Sequence, residues 1–181
     1  KAGSIGYPVW GVEMCIVDDE DNRLPDGDRG EICIRGHNIM KGYLNRPDAN
    51  AEALKNGWFH SGDIGYCDED GCYFIVDRKK DMILRGGFNV YPREVEDVLR
   101  PLPAIEDVAV VGEAADEWGE RVVAYAVARE DVSLEALREA IGNQLAPFKH
   151  PRGLHLIEEL PRNALGKVQK HRLANGRVLP D

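Results

Sequence analysis

The residues best suited to chemistry are polar groups set beside glycines and prolines. Lys167 lies in Leu160-Pro-Arg-Asn-Ala-Leu-Gly-Lys-Val-Gln-Lys170, a run too irregular for a core. A lysine there is a positive charge that can meet an anion, and a lone loop lysine is equally a solvated charge. Asp63 closes Gly57-Trp-Phe-His-Ser-Gly-Asp63. A carboxylate at such a turn can accept two hydrogen bonds from a vicinal diol such as a ribose, although Gly-Asp is also an ordinary turn. Arg78 precedes Lys79 and Lys80, and its planar fork suits ribose hydroxyls or phosphate oxygens. Three adjacent cations at a strand end also make a plain solvated turn. In Arg85-Gly86-Gly87-Phe88 two glycines remove side chains, so a narrow ligand can lie against the backbone. Trp118 and Phe148 sit beside polar residues, where a flat face could stack on a base or simply pack.

These residues need short strands and helices to hold them. Gly11–Val17 and Gly30–Arg35 alternate in the strand period, with a turn-rich stretch between them. Pro47–Leu54 predicts a short helix opened by proline. Trp58-Phe59 and Cys72–Val76 predict further strands, separated by an Asp70-Gly71 turn. After Asp81 the texture changes. Pro92–Arg100 predicts a helix stopped by Pro101, and Ile105–Val111 and Arg121–Ala128 predict valine-rich buried strands. Ser133–Leu145 predicts an amphipathic helix with Leu134, Leu137, Ile141 and Leu145 inward and Ser133 as its cap. Leu154–Ile157 predicts a third strand, and Gln169–Ala174 a last helical turn.

The chain has 181 residues, 43% of them apolar, enough for one ordinary domain or two small ones. No apolar run approaches the roughly 18 residues of a membrane span. Its start, Lys1-Ala-Gly-Ser-Ile-Gly6, has no hydrophobic stretch of the signal-peptide kind, so no secretory signal is expected. Cys15, Cys33, Cys67 and Cys72 lack metal-ligand spacing, which predicts reduced thiols and a cytoplasmic location. The net charge of −9 argues against a nucleic-acid partner. Between Gln144 and Arg177, however, seven Lys or Arg face two Glu. A basic tail on an acidic body suits a small anionic ligand met at one end, or a solvated basic face.

Three runs, in this order and spacing, resemble the C-terminal third of the AMP-forming acyl-CoA synthetases, the superfamily shared with luciferases and peptide-synthetase adenylation domains. They are Gly57–Asp63, Asp77-Arg-Lys-Lys-Asp-Met-Ile-Leu-Arg-Gly-Gly-Phe-Asn-Val-Tyr-Pro-Arg-Glu-Val-Glu96, and Leu160–Lys170. The resemblance covers essentially the whole chain. It implies an α+β fold in two parts: residues 1–79 as the β-rich end of a large domain with a distorted β-barrel, and residues 80–181 as a small mobile domain. The small domain is expected to hold a three-stranded sheet with flanking helices, and the hinge to lie at Lys80.

The resemblance also implies roles. Asp63 would hold the ATP ribose, with Ser61 in place of the commoner threonine, and Arg78 would contact the nucleotide. Gly86, Gly87 and Phe88 would line the pantetheine tunnel of coenzyme A. Trp118, Phe148 and His150 would meet its adenosine end, a relative pattern carrying arginine where this chain has His150. Lys167 would serve the adenylation step alone, by bridging the carboxylate and the α-phosphate as the pentavalent phosphorus forms, and leave when the domain rotates. The charged residues of Tyr91–Glu96 are assigned to structure. The phosphate loop, the glutamate that binds Mg2+ and the acyl pocket would all precede residue 1, so this piece is expected to be inactive alone and to complete a missing N-terminal part.

The implied reaction is ATP-dependent ligation of a carboxylic acid to CoA. Met82–Pro92 resembles the CoA ligases, and Met40–Pro47 the fatty-acyl branch. Alternatives are an adenylating enzyme with a carrier-protein acceptor or oxygen chemistry, and a non-catalytic nucleotide- or partner-binding module.

Overall fold

The computed structural model describes residues 1–115 and 119–180. The chain forms two compact units, Lys1–Lys80 and Asp81–Asp181. The first contains β1 (Val12–Val17), β2 (Gly30–Gly36), α1 (Pro47–Ala53), β3 (Leu54–Lys55), β4 (Trp58–Cys67) and β5 (Tyr73–Arg78). They form one antiparallel sheet in which β2 pairs with β1 and β4, while β3 and β5 pair with the other edge of β4. Alternation along the strands turns Ile16, Ile32 and Tyr73 into a small core. The β4–β5 connection is set by Asp68, whose carboxylate accepts the Asp70 and Cys72 amides at 3.0 Å each. Both strands run further than the sequence predicted: β4 continues from Trp58 to Cys67, and β5 reaches Arg78. A register shift between Ile64 and Gly65 then places Asp63 directly opposite Arg78.

The second unit contains β6 (Ile83–Arg85), β7 (Phe88–Val90), α2 (Pro92–Leu99), β8 (Ile105–Ala115), β9 (Gly119–Ala128), α3 (Leu134–Ile141), β10 (Gly153–Leu156), β11 (Leu173–Ala174) and β12 (Arg177–Val178). The three expected strands are β8, β9 and β10, with β8 antiparallel and β10 parallel to β9. The sheet is nevertheless wider than three strands. The β6–β7 hairpin adds to it through the Arg85–Gly119 pair, giving five. Arg85–Phe88 reads in sequence as an approach loop because the strands on either side are only three residues long. Gly86 and Gly87, at φ 57° and 82°, close the two-residue turn that such a hairpin needs. Ser133 caps α3 as expected, its hydroxyl accepting the Ala136 amide at 3.1 Å. The helix stops at Ile141 because Gly142 (φ 50°) turns the chain.

Both faces of this sheet are covered, which explains the unbroken valine runs. Val108, Val110, Val122, Ala124 and Ala126 face Val95, Leu99, Leu137 and Ile141 of the helices, with Phe148 against the same cluster. Ala109, Val111, Val123 and Tyr125 face the other way, under Leu160, Val168 and Leu173. Glu113 is buried on β8 and ties down the end of the chain. Its carboxylate accepts the Tyr125 hydroxyl at 2.7 Å, Arg121 Nη2 at 2.8 Å and the Asn175 amide at 3.0 Å. Burial pushes this carboxyl up, but the bonds from Tyr125 and Arg121 outweigh it and hold it below its usual range. Among the described residues no helix is long and apolar enough to cross a membrane, and the four cysteines are free thiols.

Candidate functional site

The first cluster forms where β4 meets β5. Asp63 and Arg78 are register partners, and Arg78 Nε donates to Asp63 Oδ1 at 2.8 Å. The arginine is about half exposed and the aspartate one-fifth, so both present polar atoms to solvent. The loop before Asp63 is held rather than free. Ser61 Oγ donates to the Ile32 carbonyl at 2.7 Å and accepts the Asp63 amide at 3.1 Å. Glu31 completes the support. Its Oε1 accepts the Gly62 amide at 3.0 Å, and its Oε2 accepts Lys79 Nζ at 3.1 Å. One buried carboxylate on β2 therefore touches the neighbours of both Asp63 and Arg78.

Burial raises the Glu31 carboxyl, but Lys79 and the Gly62 amide outweigh it and leave the group below its usual range. The thiol of neighbouring Cys33, 3.4 Å from His60 Nδ1, is pushed up to about 12, chiefly by burial. It is not a nucleophile in this setting. Sequence reasoning assigns no role to Glu31, whose available signal is an acidic residue inside the apolar alternation of Gly30–Arg35. Lys79 is committed to Glu31 and to Asp19, at 2.9 Å. Lys80 is exposed and is the last residue of the first unit.

The second cluster surrounds the β6–β7 turn. Phe88 stacks on Phe148 with ring centroids 4.7 Å apart and planes 26° from parallel, and Phe88 remains 57% exposed. Arg85 Nη1 donates to the Phe148 carbonyl, and Lys149 binds Glu94 at 2.7 Å. His150 Nε2 donates to the Leu145 carbonyl at 3.0 Å, which turns that nitrogen into the fold. Burial, and then the nearby cations Arg152 and Arg138, lower the Arg85 guanidinium from its usual value. Gly86, Gly87, Phe88, Phe148 and His150 thus share one corner, with cations beside it. Trp118 lies outside the described residues.

Lys167 belongs to neither cluster. It is exposed on a segment whose Leu160 and Val168 pack on the opposite sheet face from Phe148. That segment is more ordered than its composition suggests. Arg162 and Val168 form an antiparallel bridge, and the Asn163 amide donates to the Lys167 carbonyl at 3.0 Å. Beyond it, Lys170 Nζ binds Glu96 Oε1 at 2.7 Å. Among the described residues no group of three or more His, Cys, Asp or Glu could hold a metal ion.

Comparison with known proteins gives two family matches: the AMP-binding enzyme model over residues 1–44, and the AMP-binding enzyme C-terminal domain model over residues 94–167. A long-chain-fatty-acid–CoA ligase of Escherichia coli O6:H1 (strain CFT073) is 46% identical over 98% of this chain and 32% of its own length. A 2-succinylbenzoate–CoA ligase of Geobacillus kaustophilus is 41% identical over 99% of this chain and 36% of its own length. Among solved structures, o-succinylbenzoate CoA synthetase from Bacillus subtilis, in complex with its acyl-adenylate intermediate, superposes with a TM-score of 0.89. It is 37% identical, over 99% of this chain and 37% of that one. The same synthetase with ATP and magnesium ion superposes at 0.86, with 38% identity over 96% of this chain and 36% of that one. The chain spans about a third of the length of the curated relatives it matches.

Proposed function

For a chain that belongs to the AMP-binding, acyl-adenylate-forming enzymes, we propose the role of C-terminal part of an ATP-dependent carboxylic acid–CoA ligase. In the first half-reaction a substrate carboxylate attacks the α-phosphorus of ATP, giving acyl-adenylate and pyrophosphate. In the second, the CoA thiol attacks the acyl carbonyl and AMP leaves. The observation that carries the reading is the placement of Lys167 and the Phe88–Phe148 pair on opposite faces of one sheet. Two faces that must each serve the same acyl group call for the small domain to turn between half-reactions, and we assign the hinge to Lys80.

In this reading Asp63 and Arg78 hold the nucleotide. Arg78 engages one Asp63 oxygen, leaving the other to accept ribose hydroxyls. Lys167 meets the carboxylate and the α-phosphate in the adenylating pose, where a fixed cation offsets the charge that gathers on phosphorus. In the thioester-forming pose the Gly86-Gly87 turn and Phe88 line the pantetheine path, and Phe148, His150 and Trp118 meet the adenosine end. Arg85 and Arg152 add positive charge for the CoA phosphates. Mg2+ accompanies ATP, with its ligands in the rest of the parent protein. The relatives' names favour a fatty acid or an aryl acid and CoA over a carrier-protein thiol. The free thiols suit a reducing, cytoplasmic setting.

The test is ATP- and Mg2+-dependent pyrophosphate release over a panel of carboxylic acids, with and without CoA. This chain is assayed beside the full-length parent. Turnover by the parent alone supports the reading, and the best acid names the substrate. AMP release by the parent that needs no CoA, or turnover by the 181 residues alone, refutes it.

A further inference from the structure

We infer that Asn163 is the positioning residue for Lys167, an inference that rests on the adenylation role proposed for that lysine. Asn163 is exposed, and so are Leu165, Gly166 and Lys167 around it. Its side chain nonetheless points back into the turn. Asn163 Oδ1 accepts the Leu165 amide at 3.0 Å and the Lys167 amide at 2.9 Å. Its backbone closes the same turn from the other side, the carbonyl accepting the Gly166 amide at 2.8 Å and the amide donating to the Lys167 carbonyl at 3.0 Å. One residue therefore fixes both backbone polar groups of Lys167.

The turn is anchored at its base. Arg162 pairs with Asp107 of β8 and also donates to the Gly166 carbonyl. The Gln169 amide donates to the Pro161 carbonyl at 2.8 Å. Gly166 takes φ 78°, with open space where a Cβ would stand, so glycine is needed there for the dihedral and not for room. The Lys167 side chain thus leaves a rigid hairpin and carries only its own rotamer freedom into the reaction. A turn this exposed contributes little to the fold. Its four hydrogen bonds around one lysine serve preorganisation, which matters when the cation must meet a developing charge within tenths of an ångström.

The experiment uses the full-length parent protein with Asn163→Ala, Asn163→Asp, Gly166→Ala and Lys167→Ala. Two rates are followed: pyrophosphate formation from acid and ATP, and thioester formation from synthetic acyl-adenylate and CoA. Losing two side-chain hydrogen bonds predicts a slowing of pyrophosphate formation by about tenfold to a hundredfold in Asn163→Ala. Thioester formation should stay within about twofold, because Lys167 takes no part in it. Asn163→Asp keeps the acceptor and should recover most of the first rate. Gly166→Ala disturbs the same turn without touching Asn163 and should show the same selective loss. Equal slowing of both rates, or no slowing in Asn163→Ala while Lys167→Ala stops adenylation, overturns the inference. If Lys167→Ala leaves adenylation intact, the underlying reading of Lys167 falls with it.

Discussion

Glu96 gives the sharpest stability prediction. It is buried on α2, and its Oε1 accepts the Val110 amide at 2.8 Å. Val110 lies on β8, whose described pairing is with β9 alone, so this carboxylate caps an outward-facing amide on an edge strand. The same oxygen binds Lys170 Nζ at 2.7 Å, with the lysine side chain one-fifth exposed. In Glu96→Ala a fully buried amide loses its acceptor, costing about 1–3 kcal/mol, and a partly buried pair is broken, adding about 1 kcal/mol. The expected loss is about 2–4 kcal/mol. With a urea m-value of about 1–3 kcal/mol per molar, the midpoint of the unit's transition falls by about 0.7–4 M. Glu96→Gln keeps the acceptor and loses only the charge, so about 1 kcal/mol is expected. The assay is urea unfolding of the three proteins, followed by far-ultraviolet circular dichroism. Equal losses in Ala and Gln, or an Ala loss below about 0.5 kcal/mol, would refute the edge-capping account.

Acid should destabilise both units. Glu31 and Glu113 have folded pKa values below their usual range. Each therefore contributes stability that is complete above about pH 4.5 and lost as pH falls from there through the lowered folded value. Urea midpoints that stay flat below pH 4.5 would contradict this. Phe88→Ala removes half of the stacked pair. In the parent it should weaken the thioester half-reaction about tenfold, a loss near 1.4 kcal/mol, and leave pyrophosphate formation unchanged. Rapid-quench assays of each half-reaction decide it. Asp63→Ala removes the acceptor proposed for the ribose, and the KM for ATP should rise about tenfold to a hundredfold; an unchanged KM would detach Asp63 from the nucleotide.

Much of this molecule was legible in its sequence. Period-two alternation located β1 and β2, proline opened α1 and α2, and Ser133 marked the cap of α3. What escaped were features made by pairing. The β6–β7 hairpin is too short to show a period, and only its docking on Gly119 joins it to the larger sheet. The Asp63–Arg78 contact depends on a register shift that no local pattern encodes. Glu31 reads as an ordinary charge, and Glu96, assigned to structure, shows no sign of what it binds, because their partners, Gly62 and Val110, are backbone amides brought near by the fold. The Lys167 segment read as irregular from its proline and glycine. Its order comes from the Arg162–Val168 bridge, the Arg162–Asp107 pair and the Asn163 side chain, whose own bonds lie within four residues and follow no periodicity.

The measurement that bears most directly on the central claim is the effect of Lys167→Ala in the full-length protein on the two half-reactions taken separately. The account predicts that pyrophosphate formation from acid and ATP falls by about a hundredfold to a thousandfold, the scale of losing one preorganised charge at the reacting phosphorus. Conversion of synthetic acyl-adenylate and CoA to thioester should continue near the wild-type rate. Equal loss in both, or loss in neither, would contradict a sheet that offers one face to each half-reaction.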